Sequence, residues 1–317
     1  MPLHKLRSWM KQSIMEIVLL VLCAALAFRA EGFFSMENLL NVLRNVSMQG
    51  LIAFGMTMVI ISGEIDLSVG SAVAFAGCLT AYLTQYLTGV GIILEIALPL
   101  AMLSSLIVGG CVGCITGFIR VRHKVPTFII TLAWMTILRG AAELITNGFP
   151  LTPFPEWYNF IGGGYLFNIP FPAIVFMFTF VAINFLMSYT TFGRSIYAVG
   201  GNAEAARLSG INVGKVRILV MAAVAFLSAI SGIMQSAEIM SGTPTMASGW
   251  ELVIISAVII GGTSLLGGKG TIRGTLTGII FLGVLVNGMT LLNISEYWQH
   301  IVQGTLILAA VLANRAR

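Results

Sequence analysis

The chain has 317 residues, of which 57% are hydrophobic and only 9% charged, with a mean hydropathy of +0.96; soluble domains carry about a quarter charged residues, so a soluble enzyme is excluded. The formal net charge of +5 is scattered along the chain and not gathered on one face, which argues against a nucleic-acid partner. A spanning helix takes roughly 20 apolar residues, leaving room for about ten, and the composition points to an all-α polytopic membrane protein: a single domain over 1–317, with the bundle over 13–317.

The first segment, Met1 to Lys11, carries His4, Lys5, Arg7 and Lys11, and an apolar run over 14–28 follows. Ala25-Leu26-Ala27 mimics a signal-peptide cleavage site, but these alanines continue the apolar run, so a retained helix is the preferred reading. Further runs at 42–61, 67–87, 91–119, 126–146, 171–189, 218–240, 252–266, 274–292 and 298–313 make ten candidate helices. Basic residues in alternate connections set the orientation. With the N-terminus inside, fourteen of the 17 Lys and Arg fall on inner segments, among them Arg120, Arg122, Lys124, Lys215 and Arg217. Glu31, Glu37, Glu95, Glu156 and Glu296 fall on the outer side, so both termini are expected in the cytoplasm.

The stretch Ile61-Ser62-Gly63-Glu64-Ile65-Asp66-Leu67-Ser68-Val69-Gly70-Ser71 interrupts the apolar pattern with two carboxylates and two glycines. Charges are costly at a helix centre, so these belong at an end or against protein or water. Asp66 reads as the N-cap of the next helix, accepting from Ser68 or Val69; Glu64 has no such duty and is free to contact another segment or simply the surface. The cysteines Cys23, Cys78, Cys111 and Cys114 lie in apolar runs and read as small packing residues, while His4, His123 and His300 are too far apart for a metal cluster. Gly109, Gly113 and Gly117, spaced by four, allow close helix contact.

Arg139 and Glu143, one turn apart within a span, are placed to pair and line a polar pathway, or Arg139 snorkels toward the outer interface. The outer connection 147–170 mixes turn formers with interfacial aromatics and reads as a gate, a docking surface or an aromatic cap. The inner connection 190–217 is more informative. Asn202 can cap a short helix from Ala203 to Ser209 that Gly210 terminates. Such a helix suits either the groove of a soluble partner or the membrane interface. The glycine-rich stretch Gly261 to Gly274 fails the phosphate-loop pattern, with Thr263 where a Gly and Gly270 where a Ser or Thr would be needed, so this chain carries no nucleotide site of its own. Val-Ile-Ile before a glycine break resembles the Val59 to Gly63 stretch and hints at an internal repeat.

Several motifs in order resemble the permease subunits of bacterial ABC importers for monosaccharides, the ribose-type family: Asn38-Leu39-Leu40-Asn41-Val42-Leu43; Gly55 to Ile60 running into Gly63 to Ser71; Ala198-Val199-Gly200-Gly201-Asn202 with Ala206-Arg207-Leu208-Ser209-Gly210-Ile211; and Gly261 to Thr271. That resemblance implies a type II importer permease fold, a second permease subunit of the same or related kind, cytoplasmic ABC ATPase subunits that bind ATP and Mg2+, and a periplasmic sugar-binding protein. No cofactor is then expected in this chain, which would sit in the bacterial inner membrane. Over 190–217 it implies coupling to the ATPase through Gly193, Arg194, Gly200, Asn202, Glu204, Ala206, Arg207 and Gly210. Gly63, Glu64, Asp66, Ser68, Gly70, Gly262, Gly267, Gly268 and Lys269 match family motif positions, except that Glu64 stands where the ribose pattern has a neutral or small residue. The alternatives are an amino-acid or nucleoside ABC permease and an ion-coupled secondary transporter, the latter resting on Arg139 and Glu143.

Overall fold

The computed structural model describes residues 14–315; the basic segment with His4, Lys5, Arg7 and Lys11, and Arg317 at the other end, lie outside the described residues. Each apolar run falls on a helix: α1 Ile14–Arg29, α2 Met36–Ile61, α3 Val69–Gly89, α4 Leu94–His123, α5 Thr127–Thr146, α7 Phe171–Tyr189, α10 Val213–Ile239, α11 Trp250–Ile260, α12 Ile272–Leu291 and α13 Glu296–Arg315. Between them lie three short α-helices, α6 Asn159–Gly163, α8 Thr191–Gly201 and α9 Ala203–Leu208, a 3-10 turn Glu156–Tyr158, and a two-stranded hairpin, β1 Tyr165–Leu166 with β2 Ile169–Pro170. By length and composition, α2, α4, α5, α7, α10 and α12 can each cross a membrane.

The core forms around α2, in which every residue from Gly50 to Ile61 is buried. A helix apolar on all sides is an interior helix, and small residues let its neighbours close in. Gly50 faces the Phe176 ring of α7, Gly55 abuts the Val224 backbone of α10, and the Thr57 hydroxyl meets that of Thr275 on α12 at 2.6 Å. The glycine stripe of α4 works as its spacing predicts: Gly109, Gly113 and Gly117 meet Ala229, Met221 and Ile218 of α10. Cys111 and Cys114 are exposed on the surface of α4, so the packing role read for them is not made within this chain.

Two expected boundaries are corrected. α3 starts at Val69 with Ser68 before it, and α11 ends at Ile260, not 266, because Gly261 and Gly262 turn the chain although apolar residues continue. In the connection 147–170 several aromatics are exposed, among them Trp157 and Phe167, but one is not. Tyr158 is fully buried against α10, its hydroxyl 2.8 Å from that of Ser236 and donating to the Ile233 carbonyl at 3.0 Å, while Gly162 rests on the Met234 carbonyl.

Candidate functional site

The two glycine breaks share one geometry. At the end of α2, Gly63 and Glu64 donate backbone N–H bonds to Ile60 and Val59 at 3.0 and 3.1 Å; at the end of α11, Gly262 and Thr263 donate to Ile259 and Val258 at 2.9 and 3.2 Å. Gly63 (φ +81°) and Gly262 (φ +91°) hold the left-handed conformation that such helix ends need and that a side chain resists. One turn earlier, Thr57 and Ser256 each donate to the carbonyl four residues back, Ala53 and Leu252. The helix ends converge, since Gly268 N–H donates to the Ile61 carbonyl at 2.8 Å and Gly267 (φ +82°) lies against Gly63.

Onto this junction docks α8. Thr190 caps its start by accepting from Gly193 N–H at 3.1 Å, and Gly193 is buried against the last turn of α7. At its far end Gly200 has no room for a side chain: a Cβ there would overlap the Ile61 carbonyl and press on Gly268 N. Tyr197 donates its hydroxyl to the Gly270 carbonyl at 2.9 Å. α8 therefore touches both breaks at once.

The predicted short helix follows. Asn202 Oδ1 accepts from Glu204 and Ala205 N–H, both at 3.0 Å, and Gly210 (φ +84°) ends the segment. Ala206 is buried beneath it, whereas Arg194, Asn202, Glu204, Arg207 and Gly210 are exposed. Arg207 and Glu204 pair at 2.6 Å; the Arg207 hydrogen bond, then its charge, hold the Glu204 carboxyl below its ordinary range. Two large apolar side chains stand out on this side, Leu208 at 75% and Leu266 at 91% exposure; Lys269 is exposed beside the latter.

Glu64 has a definite partner set. Arg120 Nε lies 2.9 Å and Arg217 Nε 2.8 Å from its Oε1, and the Thr127 hydroxyl donates to Oε2. Its side chain is 4% exposed, so one carboxylate ties the α2–α3 break to the end of α4 and the starts of α5 and α10. The surface placement considered for it is corrected. Asp66 makes the bond expected of it but not at the expected position: its Oδ1 accepts from Ser68 N–H at 2.8 Å and from Ser68 Oγ at 2.6 Å, closing a turn before the helix, while Ser68 stands at the capping position without a side-chain cap bond of its own. Gly70 lies against Glu251 and the Ala247 carbonyl, with no space for a side chain.

Sequence reading missed the segment 240–249 between α10 and α11. Met240 (φ 52°), Ala247 (φ 56°) and Gly249 (φ 78°) turn it back on itself, and Gly242 exchanges backbone bonds of 3.0 Å with Leu151. α11 has 11 residues, roughly 16 Å at the helical rise or about half of a bilayer core of ~30 Å. The segment thus joins the C-terminal end of α10 to a helix too short to span a bilayer by itself. Arg139 secures it by donating to the Pro244 and Met246 carbonyls, the latter at 3.1 Å. Glu143 is exposed and among the described residues makes no ion pair with Arg139, which corrects the expected pairing. The signal available was Gly242, Pro244 and Gly249 within ten residues. Among the described residues no cluster of His, Cys, Asp or Glu could hold a metal ion.

A helical bundle with six helices long and apolar enough to cross a membrane, glycine breaks gathered at one end and a capped helix presented beside them is the build of a multi-pass membrane protein. The chain belongs to the family described as branched-chain amino acid transport system / permease component, whose profile matches residues 38–311. It is 40% identical to the ribose import permease protein RbsC of Escherichia coli (strain K12), covering 98% of this chain and 96% of that one. It is 41% identical to the RbsC of Bacillus subtilis (strain 168), over 94% and 91%, and 36% identical to the L-arabinose transport system permease protein AraH of E. coli (strain K12), over 95% and 89%. No solved structure matches. The resemblance read from the motifs is borne out.

Proposed function

We propose that the chain is the transmembrane subunit of an ABC importer that passes a monosaccharide, a ribose-like pentose or related sugar, delivered by a periplasmic binding protein and driven by ATP hydrolysis on separate cytoplasmic subunits. The observation that carries this reading is identity of 36% to 41% with ribose and arabinose permeases over nearly the whole chain. It also favours sugars over amino acids or nucleosides. In this reading the ten apolar helices form a type II importer bundle in the inner membrane, both termini lie in the cytoplasm, and a second permease subunit, the same or related, completes the path.

The mechanism follows from the contacts of α8. A partner ATPase, holding ATP and Mg2+, grips α9 through the exposed Glu204, Arg207 and Leu208 and displaces it on closure. Because Gly200 bears on Ile61 and Gly268, the displacement reaches the ends of α2 and α11 without intervening side chains. Through α10 it also reaches Arg217 and the Glu64 cluster. Close-packed backbones transmit strain instead of absorbing it, so the two breaks rock together. Arg139 and the 240–249 segment lie on the outer half of this route and line the passage.

An ion-coupled transporter would need a buried ionisable pair; Arg139 is committed to carbonyls and Glu143 is exposed. The test is uptake of labelled pentoses and hexoses into vesicles holding this chain, its ATPase and candidate binding proteins. ATP-dependent uptake lost in Gly210→Pro, with the protein still inserted, is the expected result. Uptake that follows an ion gradient and ignores ATP would refute the importer reading.

A further inference from the structure

We infer that the groove between the C-terminal end of α4 and the N-terminal end of α10 is a binding site for an anionic phospholipid of the inner leaflet. A surface cavity of about 620 Å³ opens there. Its apolar lining is Phe118, Val121, Ile218 and Leu219, of which Phe118 is 57% and Leu219 41% exposed. Arg122, Lys124 and Lys215 line it as well, with Asn212, and no acidic side chain does. Among the described residues none of these three cations takes part in an ion pair. The neighbouring carboxylate, Glu64, is already engaged by Arg120 and Arg217.

Local sequence builds this shape. Lys124 adopts φ 56° at the end of α4 and turns the chain out of the helix. Gly214, in the first turn of α10, lets Val121 approach to 3.0 Å of where a Cβ would stand, which brings the two helix ends together as the walls of one groove.

The occupant follows from the combination. Three cations and four apolar side chains lining one cavity match a phosphate headgroup continuing into acyl chains, and the volume of about 620 Å³ admits a glycerophosphate with its first methylenes. A free anion would leave the apolar lining wet. A second copy meeting this face symmetrically would set three cations against three. Basic side chains at the cytoplasmic membrane surface attract acidic lipids, each worth about fivefold in binding. The inference uses only the inner-face orientation of the reading above. Because lipid retention is measured without transport, its failure is distinguishable from failure of the importer assignment.

The experiment is native mass spectrometry of the full chain released from bilayers of mixed phosphatidylglycerol and phosphatidylcholine. The wild type is expected to retain phosphatidylglycerol selectively. Arg122→Gln/Lys124→Gln/Lys215→Gln is expected to lose at least about tenfold of that retention, while Arg194→Gln/Arg273→Gln, which removes cations outside the cavity, keeps it. Equal retention of the two lipids by the wild type, equal loss in both variants, or displacement of the lipid by inorganic phosphate at millimolar concentration would overturn the site. As a second measurement, independent of how the triple variant folds, Leu219→Trp places an indole in the lining. Its emission, taken against the parent, should be quenched more by brominated-chain phosphatidylglycerol than by brominated-chain phosphatidylcholine; equal quenching would overturn the proposal.

Discussion

The Gly268 backbone N–H donates to the Ile61 carbonyl at 2.8 Å, joining the break after α11 to the end of α2, and Gly200 of α8 sits on that bond with no room for a Cβ. Gly200→Ala must therefore shift backbone against backbone, and overpacking of this kind costs about 1–3 kcal/mol. The adjacent Gly201 meets nothing within 4 Å where a Cβ would stand. Gly200→Ala is expected to lower the melting temperature in detergent and to reduce uptake per ATP hydrolysed at least about fivefold, the lesser part of that 1–3 kcal/mol. Gly201→Ala should behave as wild type. Equal behaviour of the two variants in a paired melting and uptake assay would remove Gly200 from the transmission path.

Glu64 holds two arginines that would otherwise face each other. Removing one partner of a buried ion pair costs about 3–5 kcal/mol, and the 21% and 20% exposure of the arginine side chains reduces this. Glu64→Ala is expected to destabilise by about 2 kcal/mol, with the loss partly recovered in Glu64→Ala/Arg217→Ala, where the repulsion is relieved. A double-mutant cycle measured by thermal melting checks the coupling. Strict additivity would mean that the cluster does not act as a unit.

How much of this was legible follows from how far each signal reaches along the chain. An apolar run of twenty residues needs no context to become a helix, so α2, α4 and α10 were readable, as was the cap at Asn202, whose partners lie two and three residues away. The breaks were readable because glycine and carboxylate interrupt hydrophobic sequence. Glu64 was visible as a residue without a local duty, but its partner Arg120 is 56 residues away, and no local pattern links the two. The placement of 240–249 depended on where α11 stops, and Leu265 and Leu266 resume the apolar pattern past the glycines that end it. For Asp66 the bond to Ser68 N–H was legible, but the helix starts two residues later than a cap at 66 requires.

The Glu204–Arg207 pair should serve an interface and not stability. Both side chains are exposed, and surface pairs of this kind contribute little. Arg207→Ala is expected to leave the melting temperature within about 1 °C while lowering ATP-dependent uptake. The pH sign is set by the lowered Glu204 carboxyl: whatever the pair contributes is present above the ordinary carboxylate range and is lost as pH falls through the lowered folded value. Uptake corrected for ATPase rate should thus show no Glu204 titration between about pH 5 and pH 8. Normal coupling in Arg207→Ala would show that the partner does not grip this face.

Arg139 and Glu143 separate two ideas of the passage. An i, i+4 spacing brings the two side chains within reach, but the Pro244 and Met246 carbonyls, turned out of any helix, compete for the guanidinium and hold it. Each buried carbonyl that loses its donor costs about 1–3 kcal/mol, so Arg139→Ala should free the 240–249 segment, whereas Arg139→Gln retains one donor group and part of the restraint. The expected order of uptake is wild type, then Arg139→Gln, then Arg139→Ala, the last reduced at least about tenfold, toward the lower end of that 1–3 kcal/mol range. Basal ATPase activity should be unchanged, because α9 and the breaks are untouched. Glu143→Gln should match wild type. If instead Glu143→Gln fell as far as Arg139→Ala, the ion pair would be the working element, and the carbonyl contacts would be incidental to transport.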